Sequence, residues 1–264
     1  MGKVKTIFIV SISLAISFKT YCQRIYISPN IGMQLSGISH KVGSKNTDFY
    51  VSVPSFQIAY GLDLFYQKNN RKYKLSFYDN ILGYSYKVIP YNNIFIGHYI
   101  LTQYYAIDNL QLSLSKVFEK KSMGKFPFKS KIQFACTSGL GIDINSTKAF
   151  YKEQFSQMHF YIEHQTIGFA PQYIGTDDTI FRKSSVGLFL INDAGFDIFS
   201  KRKKRVLTFS LFYKLGFIKM AKTEVTYYYG DVGNPASEKK YKQQLATTGT
   251  TFGFKLGIPI TIKK

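Results

Sequence analysis

Apolar and polar residues alternate with period two along most of this chain, and helical stripes are almost absent. The clearest run is Lys131 to Ile144. Ile132, Phe134, Cys136, Leu140, Ile142 and Ile144 share one face, broken only by Ser138, and Lys131, Gln133, Ala135, Thr137, Gly139, Gly141 and Asp143 share the other. Near the C-terminus, Phe252, Phe254, Leu256, Ile258, Ile260 and Ile262 oppose Thr251, Gly253, Lys255, Gly257, Pro259 and Thr261. A third run sets Phe56, Ile58, Tyr60, Leu62, Leu64 and Tyr66 against Ser55, Gln57, Ala59, Gly61, Asp63 and Phe65. Segments 24–36, 72–85, 99–114, 184–199 and 206–219 read the same way less regularly, which predicts eight strands in all. Two of these, 72–85 and 99–114, lose phase at Asp79-Asn80 and Asp108-Asn109, where β-bulges are expected.

The connections are unequal. Lys68 to Arg71 and Lys201 to Arg205 are short, Ser115 to Ser130 is intermediate, and 37–53, 87–98, 145–183 and 220–248 read as long loops. Short turns at one end and long loops at the other characterise bacterial outer-membrane barrels, whose short turns face the periplasm. The expected fold is therefore all-β: an eight-stranded, antiparallel, up-and-down transmembrane barrel with both termini periplasmic. A hairpin formed by Met158 to Ala170 would raise the count to ten.

Alternation does not say which face is inside, so the polar face must decide. It is mainly Gly, Ala, Ser, Thr, Asn and Gln, with scattered charge and hardly any Glu, where a soluble sheet would present Lys, Glu and Thr to water. Small polar residues suit the narrow lumen of eight strands. The apolar faces run six or seven positions without a charge. Twelve residues tilted by ~45° rise ~28 Å, close to the ~25 Å apolar band of such barrels. A soluble, lipocalin-like barrel is the alternative.

The N-terminus adds an address. Lys3 and Lys5 precede the apolar run Ile7 to Phe18, and Thr20-Tyr21-Cys22 precedes Gln23. These are the parts of a secretory signal peptide, residues 1–22, and the apolar run is too short for a membrane helix. Residues 23–264 then form one barrel domain with Cys136 as its one thiol, so no intrachain disulfide is expected. The 21 Tyr and 24 Phe are residue types that favour pleated surfaces and membrane interfaces.

Several segments carry a family resemblance. Tyr105-Ala106-Ile107-Asp108-Asn109-Leu110-Gln111-Leu112, the glycine-rich Ser138-Gly139-Leu140-Gly141, Ala194-Gly195-Phe196-Asp197 and Phe252-Gly253-Phe254-Lys255-Leu256-Gly257-Ile258 are similar to conserved segments of the small outer-membrane barrels of Bacteroidota. That group is the PorT-like, or "outer membrane protein β-barrel domain", family. Gln23 resembles the residue that often begins mature exported proteins of that phylum. The resemblance implies an outer-membrane barrel and a part in protein secretion. Asn109 where Pro is usual, Asp193 where a small or apolar residue is expected, and the ending Ile262-Lys263-Lys264 depart from the pattern.

Candidate chemistry is sparse. Asp63, Lys74, Asp143, Asp193, Lys214 and Lys255 fall on predicted lumen faces, where they would form a mutually paired polar plug or, alternatively, line an ion path. Segments 67–72, 115–130 and 200–205, which span the three shorter connections, hold 13 Lys or Arg against the single acid Glu119. Among them, Lys201, Arg202, Lys203, Lys204 and Arg205 form a basic periplasmic turn suited to anionic lipid headgroups or an acidic periplasmic or secretion-system partner. No role with nucleic acid is expected of an exported barrel. His40, His98, His159 and His164 fall in predicted loops, and His159 and His164 share one with Ser156 and Glu163. No nucleophile elbow, HExxH or zinc-ligand spacing accompanies them, so no catalytic residue, cofactor or metal is assigned. The expected role is non-enzymatic anchoring, interaction or envelope organisation. A lipid-modifying enzyme at the barrel rim and a narrow pore are the alternatives.

Overall fold

The computed structural model describes residues 24–37, 40–43, 50–68, 71–88, 101–119, 124–125, 131–145, 152–161, 172–182, 184–200, 204–231 and 233–263. The predicted signal segment, Lys201, Arg202, Lys203, His98 and His164 lie outside them, as do the side chains of His40 and His159.

The described residues form sixteen strands, in chain order β1 (Arg24–Ser36), β2 (His40–Gly43), β3 (Tyr50–Val53), β4 (Ser55–Lys68), β5 (Arg71–Val88), β6 (Leu101–Glu119), β7 (Gly124–Lys125), β8 (Lys131–Asn145), β9 (Lys152–Tyr161), β10 (Gln172–Arg182), β11 (Val186–Phe199), β12 (Arg205–Gly216), β13 (Ala221–Asp231), β14 (Asn234–Thr247), β15 (Thr251–Gly257) and β16 (Ile260–Lys263). Eight of them, β1, β4, β5, β6, β8, β11, β12 and β15, close an antiparallel ring, with β11 pairing β8 to complete it. The short strand β16 continues β15 along β1, and β3 continues β4 along β5.

The register fixes the shape of the ring. From Arg24, successive partners are Gln67, Lys72, Val117, Thr137, Asp193, Phe212 and Gly253, and the path returns to β1 at Gln34. One circuit therefore ends ten residues further along β1, from position 24 to position 34. Ten residues of ~3.3 Å against eight spacings of ~4.8 Å give a strand tilt of ~40°, within the usual range for such barrels.

Inside and outside follow the alternation, except toward the short-turn end of β1, β4 and β5, where Ile25, Leu62, Leu64 and Phe77 have outward parity but are buried. Ser28, Asn30, Gln34 and Ser36 of β1 are buried in the lumen, while Ile31 and Met33 are exposed on the outer wall. Phe134 and Leu140 of β8, Leu211 and Tyr213 of β12, and Phe252, Leu256 and Ile258 with the neighbouring strand β15 are exposed in the same way. This inversion of the ordinary globular pattern, apolar outside and polar inside, is stable where the surroundings are lipid.

Glycines let the lumen fill tightly. A Cβ on Gly141 would overlap the ring of Phe189, its register partner on the adjacent strand β11, and the Leu112 carbonyl. Gly141→Val should therefore destabilise the barrel by about 1–3 kcal/mol through overpacking, read from its urea midpoint in lipid.

Two expectations change. Strands β5 and β6 pair without interruption from Lys72↔Val117 to Val88↔Leu101, so no bulge occurs at either Asp-Asn pair. Asn80 and Asn109 are register partners and both are buried, whereas the Asp79 carboxylate accepts a hydrogen bond from Tyr60 at 3.1 Å on the exposed side. The apparent loss of phase is a polar residue on the outer wall beside an inward asparagine. The segments read as long loops also contain structure: β2, β14, β13, β10 and β9 form a separate five-stranded antiparallel sheet. The hairpin β9–β10 belongs to that sheet, so the barrel has eight strands.

The second sheet joins the long-connection end of the barrel. The Met220 amide donates to the Thr247 carbonyl and the Ser184 amide to the Met220 carbonyl. The Thr247 hydroxyl donates to the Gly37 carbonyl beyond β1. Met220 is fully buried beside Gly187 of β11, which seats the base of the sheet on that strand end.

Candidate functional site: the charged lumen

The most concentrated chemistry among the described residues is the interior of the ring. Each of Asp63, Lys74, Asp143, Asp193, Lys214 and Lys255 points inward and is buried. They do not form one network but divide between two layers, with a third layer nearer the short turns.

Nearest the long connections, Lys214 of β12 donates to both carboxylate oxygens of Asp143 of β8 at 3.1 Å. The Asn109 amide donates to Asp143 Oδ1 at 2.8 Å and to Asn80 Oδ1 at 2.9 Å. Gln111 Oε1 accepts from Lys214 at 3.4 Å and from Asn80 at 3.3 Å. The Lys214 ammonium also sits 5.1 Å from the centre of the Phe189 ring. Lys214 has a side-chain exposure of 0%, so every stabilising partner of this charge must come from the lumen wall.

The middle layer centres on Asp193 of β11. Its carboxylate pairs with Lys74 of β5 and, at 3.0 Å, with Lys255 of β15. Lys255 lies 5.0 Å from the Tyr78 ring centre and 5.4 Å from that of Phe212. The Tyr78 hydroxyl accepts from the Asn30 amide at 3.0 Å and lies in the same layer as Asp63. Two lysines and two carboxylates thus occupy the same layer and balance in charge. Asp193, which departs from the sequence resemblance, is the acid both lysines share.

The third layer was not anticipated. Arg205 Nη2 bridges Glu119 at 3.1 Å and Asp197 at 3.0 Å, and Lys72 pairs with Glu119. Nη1 of the same guanidinium donates to the Tyr26 hydroxyl. Tyr26 stacks on Phe65 with ring centres 4.4 Å apart. Arg205, grouped by sequence with the basic turn, is instead the first residue of β12 and points into the lumen, while Lys204 remains exposed. The reason is proximity to two carboxylates, Glu119 and Asp197, at the short-turn end of the ring. The signal was available: Asp197 shares parity with Asp193, and Glu119 shares parity with Ser113 and Ser115.

The layers leave little space between them. A cavity of about 50 Å³ lies between the Arg205 and Asp193 layers, lined by Thr137, Ser210 and Glu119 among others. Another of about 10 Å³ lies between the Asp193 and Lys214 layers, beside Gln34, Tyr78 and Phe212. Such volumes suit one or a few water molecules. Asp63 Oδ1, Asp193 Oδ1 and Thr137 Oγ1 are buried without a hydrogen-bond partner among the described residues, which makes them natural hydrogen-bonding groups for such water.

Among the described residues, no group of three or more His, Cys, Asp and Glu side chains is placed to hold a metal ion. No family model and no curated protein matches the sequence. Among solved structures, the chain is similar to the outer membrane protein OprG from Pseudomonas aeruginosa, with 9% identity, a TM-score of 0.34, and coverage of 91% of this chain and 97% of that one.

Proposed function

We propose that this chain is an integral outer-membrane barrel with a plugged lumen and a non-enzymatic role. It anchors the five-stranded sheet at the cell surface for interaction or envelope organisation. The observation that carries this reading is the inverted wall. Large apolar side chains are exposed around the ring, and the charges are buried and paired inside it. An antiparallel ring has no open edge, which is what a sheet needs in hydrocarbon.

The short-turn end faces the periplasm in this proposal, following the usual asymmetry of such barrels. Arg71, Lys131 and Lys204 are exposed at that end and suit anionic phospholipid headgroups. The link to protein secretion rests on the resemblance to the PorT-like group. It would make the partner at these basic turns a periplasmic protein with an acidic surface.

Two measurements test the reading together. The outer-membrane fraction should contain a band whose gel mobility in SDS changes only after boiling. The purified chain in planar bilayers should show no stable unitary conductance, because three layers of paired charge cross the lumen. A soluble protein absent from that fraction would overturn the membrane assignment. A steady, ion-selective conductance would overturn the plug and favour the pore.

A further inference from the structure

The outer wall contains an unpartnered polar pair at a height where lipid offers no hydrogen bonds. A row of register partners of outward parity runs from Ile25, which is itself covered by its neighbours, through Tyr66, Tyr73, Lys116, Ser138, Asn192, Tyr213 and Phe252, and returns to β1 at Leu35. At a tilt of ~40°, each step to the next strand climbs ~3 Å, so the circuit spans ~25 Å, the depth of a typical apolar band. Ser138 and Asn192 are the fourth and fifth steps above Ile25, about 13 and 16 Å up. They therefore lie near the middle of the band on adjacent strands.

Both residues are exposed, and neither side chain has a hydrogen-bond partner among the described residues. Ala194 and Cys136, directly below them on the same strands, are also exposed and small. Leu140 and Phe134 flank this shallow depression on β8 with 65% and 55% exposure. An exposed amide in hydrocarbon loses hydrogen bonds to water and regains none from acyl chains. Headgroup phosphates and hydroxyls lie at the band's edges, about 10 Å or more away.

We propose that the β8–β11 outer wall is the interface of a homodimer whose two-fold axis lies along the membrane normal. Three features select a second copy. A carboxamide both donates and accepts, so Asn192 is complementary to its own symmetry mate. An axis along the normal sets both copies of Asn192 and Ser138 at the same depth, which a different partner would meet only with a polar group at that depth. The small side chains of Ala194, Cys136 and Ser138 let the two walls approach, as small residues do between membrane helices. This proposal rests on the membrane reading above.

The test uses the full chain labelled singly on a surface lysine and reconstituted in liposomes at high lipid excess, with subunits counted by stepwise photobleaching. Two-step bleaching should dominate for the native sequence. Asn192→Leu with Ser138→Ala should weaken association about tenfold, since removing the reciprocal amide contact is worth roughly one decade. Both substitutions exchange polar groups for apolar ones on a lipid-facing wall, so folding should persist, and heat-dependent gel mobility verifies it in the same samples. Oxidative cross-linking through Cys136 supplies an independent readout. It should give a covalent dimer, whereas Cys136→Ser with Ile31→Cys, which moves the thiol to the exposed wall of β1, should not. A monomer at all lipid ratios, equal cross-linking from both walls, or a dimer indifferent to the double substitution would each overturn the proposal. Loss of the heat-dependent band in the native protein would instead overturn the membrane reading beneath it.

Discussion

Asp193→Leu should destabilise the folded barrel by about 3–5 kcal/mol, the usual loss when one side of a buried ion pair is removed. Asp193 is the shared counter-ion of Lys74 and Lys255, and all three are buried in the middle of the lumen. Without it, two ammonium groups face each other, with Asp63 the remaining acid of that layer. The measurement is the urea dependence of the folded gel band for protein in lipid vesicles, since the chain has no Trp to report unfolding by fluorescence. Asp193→Asn should lose somewhat less, because the amide oxygen still accepts a hydrogen bond. The informative companion is the triple variant Lys74→Met, Asp193→Leu, Lys255→Met. Replacing a whole buried charge cluster with apolar residues of similar volume is often neutral or stabilising, so this variant should recover most of the loss. If Asp193→Leu were as stable as the native protein, the three charges would have to be exchanging freely with lumen water.

The contrast between those variants bears on why the lumen is charged. Apolar filling would serve stability equally well in principle, yet the ring carries three charge layers rather than one. Each layer ties together strands far apart in sequence: Lys74 of β5 meets Asp193 of β11, and Lys214 of β12 meets Asp143 of β8. Such contacts penalise register slips, because moving one strand by a single residue would turn its charge from the lumen to the outer wall. The paired layers therefore fix the alignment that gives the ring its ten-residue stagger.

The barrel was legible in the sequence because lipid and a narrow lumen impose opposite demands on alternate residues. Lys131 to Ile144 obeys both, and so does Thr251 to Ile262. The five-stranded sheet was not legible for the converse reason. Outside the membrane neither face of a strand must be uniformly apolar, and β14 mixes Glu238, Lys239, Lys240, Gln243 and Leu245 with no clear period. The lumen charges could be found by parity alone, but their partners could not. Parity says that a residue points inward, and only the stagger between strands says at which height. Arg205 shows the limit most clearly: five consecutive basic residues look like one solvated turn, and the fifth turns inward because Glu119 and Asp197 wait at its level. The Asp79-Asn80 and Asp108-Asn109 pairs mislead for a related reason. A polar residue on the outer wall imitates a change of phase while the backbone register continues unbroken.

Leu140→Arg separates the membrane reading from every soluble alternative. Leu140 is among the most exposed apolar residues of the wall and lies two residues above Ser138 on β8, close to mid-band. In water, an exposed Leu→Arg change on a strand is worth no more than about 0.5 kcal/mol in either direction. In a bilayer, a guanidinium at the midplane of a transmembrane strand costs about 2–4 kcal/mol, falling to about 0–1 near the interfaces. Lys116 gives the natural control. It points outward one strand step (~3 Å) below Ser138, with its ammonium 5.1 Å from the ring centre of Phe118, an aromatic residue nearer the short turns. Lys116→Arg should change stability by no more than about 1 kcal/mol, since it exchanges one long cation for another at an unchanged height and either side chain can carry its charge toward the short-turn edge. Urea midpoints of the two variants, measured in the same lipid vesicles, should differ by several tenths molar or more, with Leu140→Arg the weaker. Equal midpoints would mean that the outer wall of β8 never meets hydrocarbon, and the exposed apolar rows would then need a protein surface to cover them.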